Sequence, residues 1–415
     1  MIEETCLGFP TRLKWERVIV LLGFVVLAPL FAYADELVEI APKEAGLPAT
    51  FTRTLDSILQ EATDKKQVAG AEAMVLLGDS IVYHGTAGFI QKVPQPVPMH
   101  EETLFDLASL TKMVATTTSL MILCDRGEIA LNDPVAKHLK DFDREGYRDI
   151  TIWNLLTHTS GLPHLVGFYE KYRGKVIYRR HLFDLPMKSK PGEKRVYSDT
   201  GFMVAGWVVE AVSGKRLDKF AEENIFQPLG MNRTYFNPPY HEWTDTAATE
   251  LCPWRGEVMR GEVHDENSYS LGGISGHAGL FSTVSDLAIF CRMMLQGGEW
   301  NGVRILREET VAKMLTPQKV PDEDYQGIGW WLQEERGQKV GSLISEKTFG
   351  HTGFTGTSLW MDPDYDLTVI LLTNAIHPNR KDAERTPVRQ AFHRVVAEGV
   401  EGLPRQKQNH GSPWK

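Results

Sequence analysis

The sequence predicts an α+β protein: an antiparallel sheet built from both ends of the chain, flanked by helices and carrying an inserted, mainly helical domain. Three observations lead there. Strand patterns occur near residues 71–84 and again after residue 325. A long block of helical periodicity separates them. The composition, 42% apolar and 24% charged over 415 residues, supplies a large core and excludes a disordered or rod-like chain.

Leu47 to Lys66 reads as an amphipathic opening helix. Ala71 to Leu77 and Ser80 to His84 flank a Gly78-Asp79 turn and read as a hairpin. Ser109 to Arg126 is a long helical pattern stopped by Gly127, and Asp133-Pro134 opens another helix with proline in its first turn. Ile152 to Leu156 is a short helix entering the turn His158 to Pro163. Residues 201–225 are helical twice over, with Ser213-Gly214 between, and Ser285 caps a helix through Leu295. Strands Gly327 to Gln333, Ser358 to Met361 and Leu367 to Thr373 follow, then a helix near 387–399. The expected division is a sheet domain from 35–108 and 300–402, a helical domain over 109–299, and a polar tail over 403–415.

At the start, Arg12, Lys14 and Arg17 precede the apolar run Val18 to Phe31, and Ala32-Tyr33-Ala34 places small residues before Asp35. A basic region, an apolar run and an A-x-A site make a secretory signal peptide over residues 1–34, cleaved after Ala34. The run, broken by Pro29, is short of the ~20 residues that span a bilayer. The expectation is a secreted or periplasmic protein with at most peripheral membrane contact. Lys plus Arg number 45 against 54 Asp plus Glu, a net charge of −9. With that balance and no Lys/Arg cluster, nucleic acid is not an expected partner. Cys6, Cys124, Cys252 and Cys291 form no CxxC pair, and Cys124 and Cys291 read as buried free thiols.

Three motifs carry chemistry. In Ser109-Leu110-Thr111-Lys112, serine and lysine at i and i+3 share a helix face, so an amine lies within reach of a hydroxyl that needs a base. A helix start adds free N–H groups suited to an oxyanion. Tyr197-Ser198-Asp199 follows the Pro191-Gly192 turn and presents a phenol and a carboxylate; a phenol near one or two ammonium groups can be held as phenolate and act as general base. Read alone, the segment is better taken as a solvated loop with Asp199 or Thr200 as a helix N-cap. Gly350-His351-Thr352-Gly353-Phe354-Thr355-Gly356 precedes a strand, and its glycines admit close backbone approach.

Taken together and in this order, the motifs resemble the serine penicillin-recognising family: class C β-lactamases, low-molecular-mass DD-peptidases and related esterases. That family carries S-x-x-K at a helix start, Y-x-N on a loop and K/H-T-G on a strand. Residues 126–135, 155–163 and 228–231 are similar too, and the resemblance spans roughly 45–400. Residues 263–267 and 271–282 are similar to the penicillin-binding protein 4B branch of D-alanyl-D-alanine carboxypeptidases.

The resemblance implies a β-lactamase/DD-peptidase-like fold with the active site between sheet and helical domain. It makes Ser109 the acylated nucleophile, Lys112 its partner base, and Tyr197 the phenolic base and acid that carries the proton to the leaving group. Thr352 and Gly353 would line the cleft, and the N–H groups of Ser109 and Phe354 would form the oxyanion hole. Asp199 stands where most members have Asn; its charge should hold Lys112 protonated and move more of the base role to Tyr197. His351 replaces the commoner Lys, so a substrate carboxylate would be attracted less and in a pH-dependent way. The implied activity is an exported serine hydrolase acting through an acyl-enzyme on cell-wall peptides, a D-alanyl-D-alanine carboxypeptidase. An esterase or β-lactamase on the same scaffold, or a slowly acylating penicillin-binding sensor, are the alternatives. The expected partner is a small-molecule or peptide substrate, with no cofactor. His264, Asp265, Glu266 and His277 lie close in sequence but lack HExxH spacing, so no metal is expected.

Overall fold

The central strands are near-continuous apolar runs buried on both faces, so helices cover the sheet on either side. The computed structural model describes residues 37–321, 325–332 and 345–405. The expected signal peptide, and the tail beyond residue 405, lie outside the described residues. Strand β1 (Val38–Glu39) is followed by helix α1 (Phe51–Asp64), β2 (Gly70–Leu77), β3 (Ser80–Gln91) and β4 (Val97–Pro98). The middle of the chain supplies α2 (Thr118–Asp125), α3 (Ile152–Leu156), α4 (Lys175–Leu182), α5 (Asp199–Ser213) and α6 (Val284–Leu295). The chain then returns with β5 (Trp331–Leu332), β6 (Phe349–Thr352), β7 (Ser358–Asp362), β8 (Leu367–Thr373) and α7 (Arg385–Val400).

These strands form one sheet in the order β1-β3-β2-β8-β7-β6-β5, with β4 on β3, so strands from the two chain ends meet at the β2–β8 pair. All pairings are antiparallel except the short β1–β3 edge. On one face Ala71, Ala73, Val75, Val369 and Leu371 share a core with Phe51, Leu55 and Leu59 of α1 and Phe392 and Val396 of α7. On the other, Met74, Leu76, Ile370 and Leu372 share a core with Leu287 of α6 and the middle helices. Helix α6 therefore packs on the sheet, although it falls within the stretch expected as the helical domain.

Several expectations are corrected in detail. The helix expected over Ser109–Arg126 is three pieces: a 3-10 turn at Ala108–Leu110, a π-helical stretch at Lys112–Thr117, and α2. The Thr118 hydroxyl donates to the Met113 carbonyl at 2.8 Å, a five-residue span that suits the wide π turn. Thr283, not Ser285, caps α6: its side chain accepts from the Asp286 amide, and Ser285 already lies in the first turn. Pro134 stands just before the four-residue helix Val135–His138 with an extended ψ of 136°. The strand expected at Gly327–Gln333 reduces to Tyr325–Gln326 and Trp331–Leu332 among the described residues, while β3 runs on to Gln91. Cys291 is buried as expected, but Cys124 is only partly so.

The expectation of no Lys/Arg cluster is also wrong. Residues 171–195, around α4, contain nine Lys and Arg against Asp184 and Glu193, which the whole-chain balance conceals. Among the described residues no helix is long and apolar enough to cross a membrane.

Candidate active site

Ser109 sits in a turn under strain. Ala108, just before it, has φ +47°, a conformation that costs a non-glycine residue about 1–3 kcal/mol. The turn is held from both sides: the Ala108 amide donates to Asp106 Oδ1 at 2.9 Å, and the Leu107 amide donates to the Leu280 carbonyl at 2.9 Å. Asp106 is itself buried, and burial raises its pKa despite the amide donors from His264 and Ala108. Ser109 lies in the 3-10 turn and Lys112, three residues on, opens the π-helical stretch, which brings the two side chains together.

Lys112 is fully buried, and its ammonium group has three close partners: two hydrogen-bond acceptors and one ion-pair carboxylate. These are Ser109 Oγ at 3.0 Å, the His277 carbonyl at 3.0 Å and Asp199 Oδ1 at 2.7 Å. Burial works to lower the lysine pKa, but the Asp199 carboxylate, together with the Tyr197 hydroxyl beside it, outweighs it and the net shift is upward. The lysine therefore rests as an ammonium that donates to the serine. Its place depends on two glycines: a Cβ on Gly276 would lie 2.0 Å from the Phe202 carbonyl, and one on Gly206 would lie 3.0 Å from the Gly276 amide. That close approach presses residues 275–279 onto α5 and delivers the His277 carbonyl to Lys112.

Tyr197 lies over the same spot, with Lys112 Nζ 5.0 Å from its ring centroid and its hydroxyl interacting with Lys112 and Ser109. Burial raises its pKa, Lys112 opposes that, and Asp199 adds to it, so the phenol rests neutral. The cap of α5 is Ser198, whose Oγ accepts from the Gly201 amide at 2.9 Å, rather than Asp199 or Thr200. Asp199 is thereby free to face Lys112 from the first turn.

The Tyr197 ring is wedged between His158, at 4.6 Å between centroids, and His351, at 5.9 Å. His158 adopts φ +59°, and its Nδ1 accepts from the Ser198 amide at 3.1 Å, which fixes the loop before α5. His351 is fully buried; its Nδ1 bonds the Thr352 carbonyl at 2.8 Å, and its ring packs against Trp331 at 3.9 Å. The residue thus walls the phenol and presents no solvent-exposed surface.

After β6 the chain turns at Gly353-Phe354-Thr355-Gly356. The Gly353 amide donates to the Thr357 carbonyl, and the Thr357 and Thr355 hydroxyls donate to the carbonyls of Leu107 and Asp106, tying this turn to the one bearing Ser109. Buried Arg389 of α7 grips the same turn, donating to the carbonyls of Gly353 and Thr357 at 2.7 Å each and of Gly356 at 3.2 Å. The Phe354 amide makes no hydrogen bond to the described residues, and Thr352 is half-buried beside it. A Cβ on Gly353 would stand 2.5 Å from the Leu107 carbonyl. Gly353→Ala should therefore separate the two turns and cost about 1–3 kcal/mol, read as a lower unfolding midpoint together with slower acylation.

The residues weighed as metal ligands go to different partners. His264 pairs with Glu250 at 3.0 Å, Glu266 with Arg380 at 2.6 Å, and His277 with Asp265 at 2.8 Å. Among the described residues, only Glu72, His84 and Glu102 bring three such groups together, within 4.8 Å. Glu72 already accepts from His84 and from the Glu102 and Thr103 amides.

The structure thus brings Ser109, Lys112, Tyr197 and Asp199 into mutual contact and sets His351, Thr352, Gly353 and Phe354 along one side. The family described as Beta-lactamase matches residues 55–393. The chain belongs to the beta-lactamase family. It is a serine-type hydrolase with the mixed α+β fold of that family and of the penicillin-binding proteins. An Escherichia coli (strain K12) relative named "Putative D-alanyl-D-alanine carboxypeptidase" is 33% identical over 386 residues, covering 85% of this chain and 88% of that one. The octameric penicillin-binding protein homologue from Pyrococcus abyssi aligns with a TM-score of 0.64 at 26% identity, covering 84% of this chain and 79% of that chain. EstCE1, a hydrolase with promiscuous acyltransferase activity, aligns at 0.67 with 22% identity, covering 83% of this chain and 98% of that one, a likeness of fold.

Sequence reading missed four contributors: Asp106, the His277 carbonyl, Trp331 and Arg389. His158 lay in a stretch already noted for its similarity to the family, and that was its only signal.

Proposed function

We propose that the chain is an exported D-alanyl-D-alanine carboxypeptidase that works through an acyl-enzyme on Ser109. The observation that carries the reading is the 3.0 Å contact of Lys112 Nζ with Ser109 Oγ, with the Tyr197 hydroxyl interacting with both. Ser109 Oγ attacks the carbonyl carbon of the penultimate D-alanine, and its proton passes to the Lys112–Tyr197 pair. The tetrahedral oxyanion is held by the N–H groups of Ser109 and Phe354. The pair returns the proton to the departing amine, which leaves as free D-alanine. Water then attacks the ester, gives its proton to the same pair, and Ser109 Oγ regains one as the acid departs.

To accept a proton, the pair must first lose one, and Asp199 makes that harder by favouring ammonium and disfavouring phenolate. Both groups have raised pKa values, so kcat/KM should climb as pH rises above neutrality. Asp199→Asn removes an upward influence on both groups and should move that rising limb to lower pH; an unmoved pH–rate profile would show that Asp199 does not set the base.

The export reading rests on the layout of residues 1–34; the substrate reading rests on the named relatives and is tested directly. The chain is incubated with a labelled penicillin, a peptide ending in D-Ala-D-Ala and a short-chain nitrophenyl ester. Stable labelling with D-alanine release is expected. Fast drug hydrolysis would make it a β-lactamase, ester turnover alone an esterase, and labelling without turnover a sensor.

A further inference from the structure

The basic stretch around α4 is a surface that the catalytic reading leaves unused. Residues 171–195 carry a formal charge of +7 in a chain whose total is −9, leaving −16 elsewhere. Some of these cations are occupied at home: Lys175 pairs with Glu210, Arg179 with Asp141, and Arg173 donates to the carbonyls of Tyr169 and Tyr172. Lys171, Arg180, Lys188, Lys190 and Lys194 are exposed and form no ion pair with the described residues.

The same stretch also carries exposed aliphatic side chains. Helix α4 turns Tyr178 and Leu182 inward, one turn apart. Val176 and Ile177 face the other way and are 80% and 44% exposed. Arg180 follows them at i+4 and i+3, so cation and aliphatic groups share the outer face. Leu165 and Val196, on the segments flanking this stretch, are exposed as well. A helix that places its aliphatic residues in water beside unpaired cations gains nothing in solution. Against an anionic lipid leaflet the cations meet headgroup phosphates and the aliphatics enter the acyl boundary. A soluble polyanion would satisfy the cations alone and leave Val176 and Ile177 wet.

We infer that residues 171–196 form a docking surface for an anionic lipid leaflet. The segment runs into the phenol at Tyr197, so docking would hold the hydrolase against a membrane by a surface, with no spanning helix among the described residues. The inference is independent of which acyl substrate is cleaved.

The test uses the chain without residues 1–34, since Glu36–Lys415 is a compact unit by itself. Sedimentation is measured with phosphatidylcholine vesicles with and without phosphatidylglycerol, at low and raised salt. Binding is expected only to the anionic vesicles and is weakened by salt. Lys188→Glu/Lys190→Glu/Lys194→Glu should weaken it about a hundred-fold or more, at about five-fold per cation removed. Val176→Ser/Ile177→Ser should weaken it about ten-fold. Nitrophenyl ester turnover and the unfolding midpoint should be unchanged in both variants, since neither set touches the site. Absence of wild-type binding to the anionic vesicles overturns the inference. So does equal capture by soluble polyglutamate together with indifference to the Val176/Ile177 change, which would mark a polyanion surface. Should a variant fail to fold, the lipid and salt dependence of the wild-type chain still decides.

Discussion

Ser109→Ala is expected to leave a folded protein that releases no D-alanine, turns over no ester and takes no label from penicillin. The nucleophilic oxygen has no substitute nearby: the closest groups are an ammonium and a neutral phenol, neither able to carry the acyl group. Loss of a nucleophile from a cooperating set costs on the order of a million-fold in rate, leaving only what binding and the oxyanion donors supply. The fold should barely notice. Ser109 is half-buried, and Lys112 keeps its contacts with Asp199 at 2.7 Å and the His277 carbonyl at 3.0 Å. The loss of one hydrogen bond is worth about 1 kcal/mol. Ester hydrolysis by the purified variant at the wild-type rate would remove Ser109 from the mechanism.

Tyr197→Phe is expected to lower kcat/KM by about a hundred- to ten-thousand-fold, the usual contribution of a positioned acid–base group. The substitution keeps the ring between His158 and His351, at 4.6 and 5.9 Å, so the loop before α5 should hold its place. Only the hydroxyl is lost, and with it the atom through which Ser109 and the leaving amine exchange a proton. The resting state sharpens the expectation. Lys112 rests as an ammonium and Tyr197 as a neutral phenol, so the pair must lose one proton before it can take that of Ser109, and the Tyr197 hydroxyl meets both partners. A variant within a few-fold of wild type, with an unshifted pH profile, would return the whole base role to Lys112. Because the phenylalanine keeps the packing, a matching unfolding midpoint would show that the loss is chemical rather than structural.

How much of this was legible before any coordinates is instructive by residue. Ser109 and Lys112 are three positions apart, so any helical backbone brings them together, and their contact is a local property. Tyr197 and Gly353 lie about 90 and 240 positions further on, and no periodicity places them there; their order along the chain and resemblance to a family did. The cap at Ser198 and the start of α6 at Thr283 were each misplaced by one or two positions, because neighbouring Ser, Thr and Asp residues compete for the same orphan amides. The break of the expected helix into 3-10, π and α pieces was not legible, because the Thr116 hydroxyl bonds the carbonyl of Gly276, 160 residues away.

By itself the sequence determined the mixed α+β class, the helix and strand order, the motif residues and the layout expected of an exported chain. These depend on local periodicity, local turn chemistry and short spacings. Only the tertiary structure decided that Lys112 donates to the His277 carbonyl, that His351 is buried behind the phenol, and that Arg389 holds the turn tied to the one bearing Ser109. Those are backbone carbonyls and long-range burials, which have no side-chain signature in the sequence. A group's charge and pKa follow from what surrounds it, and folding alone assembles those surroundings.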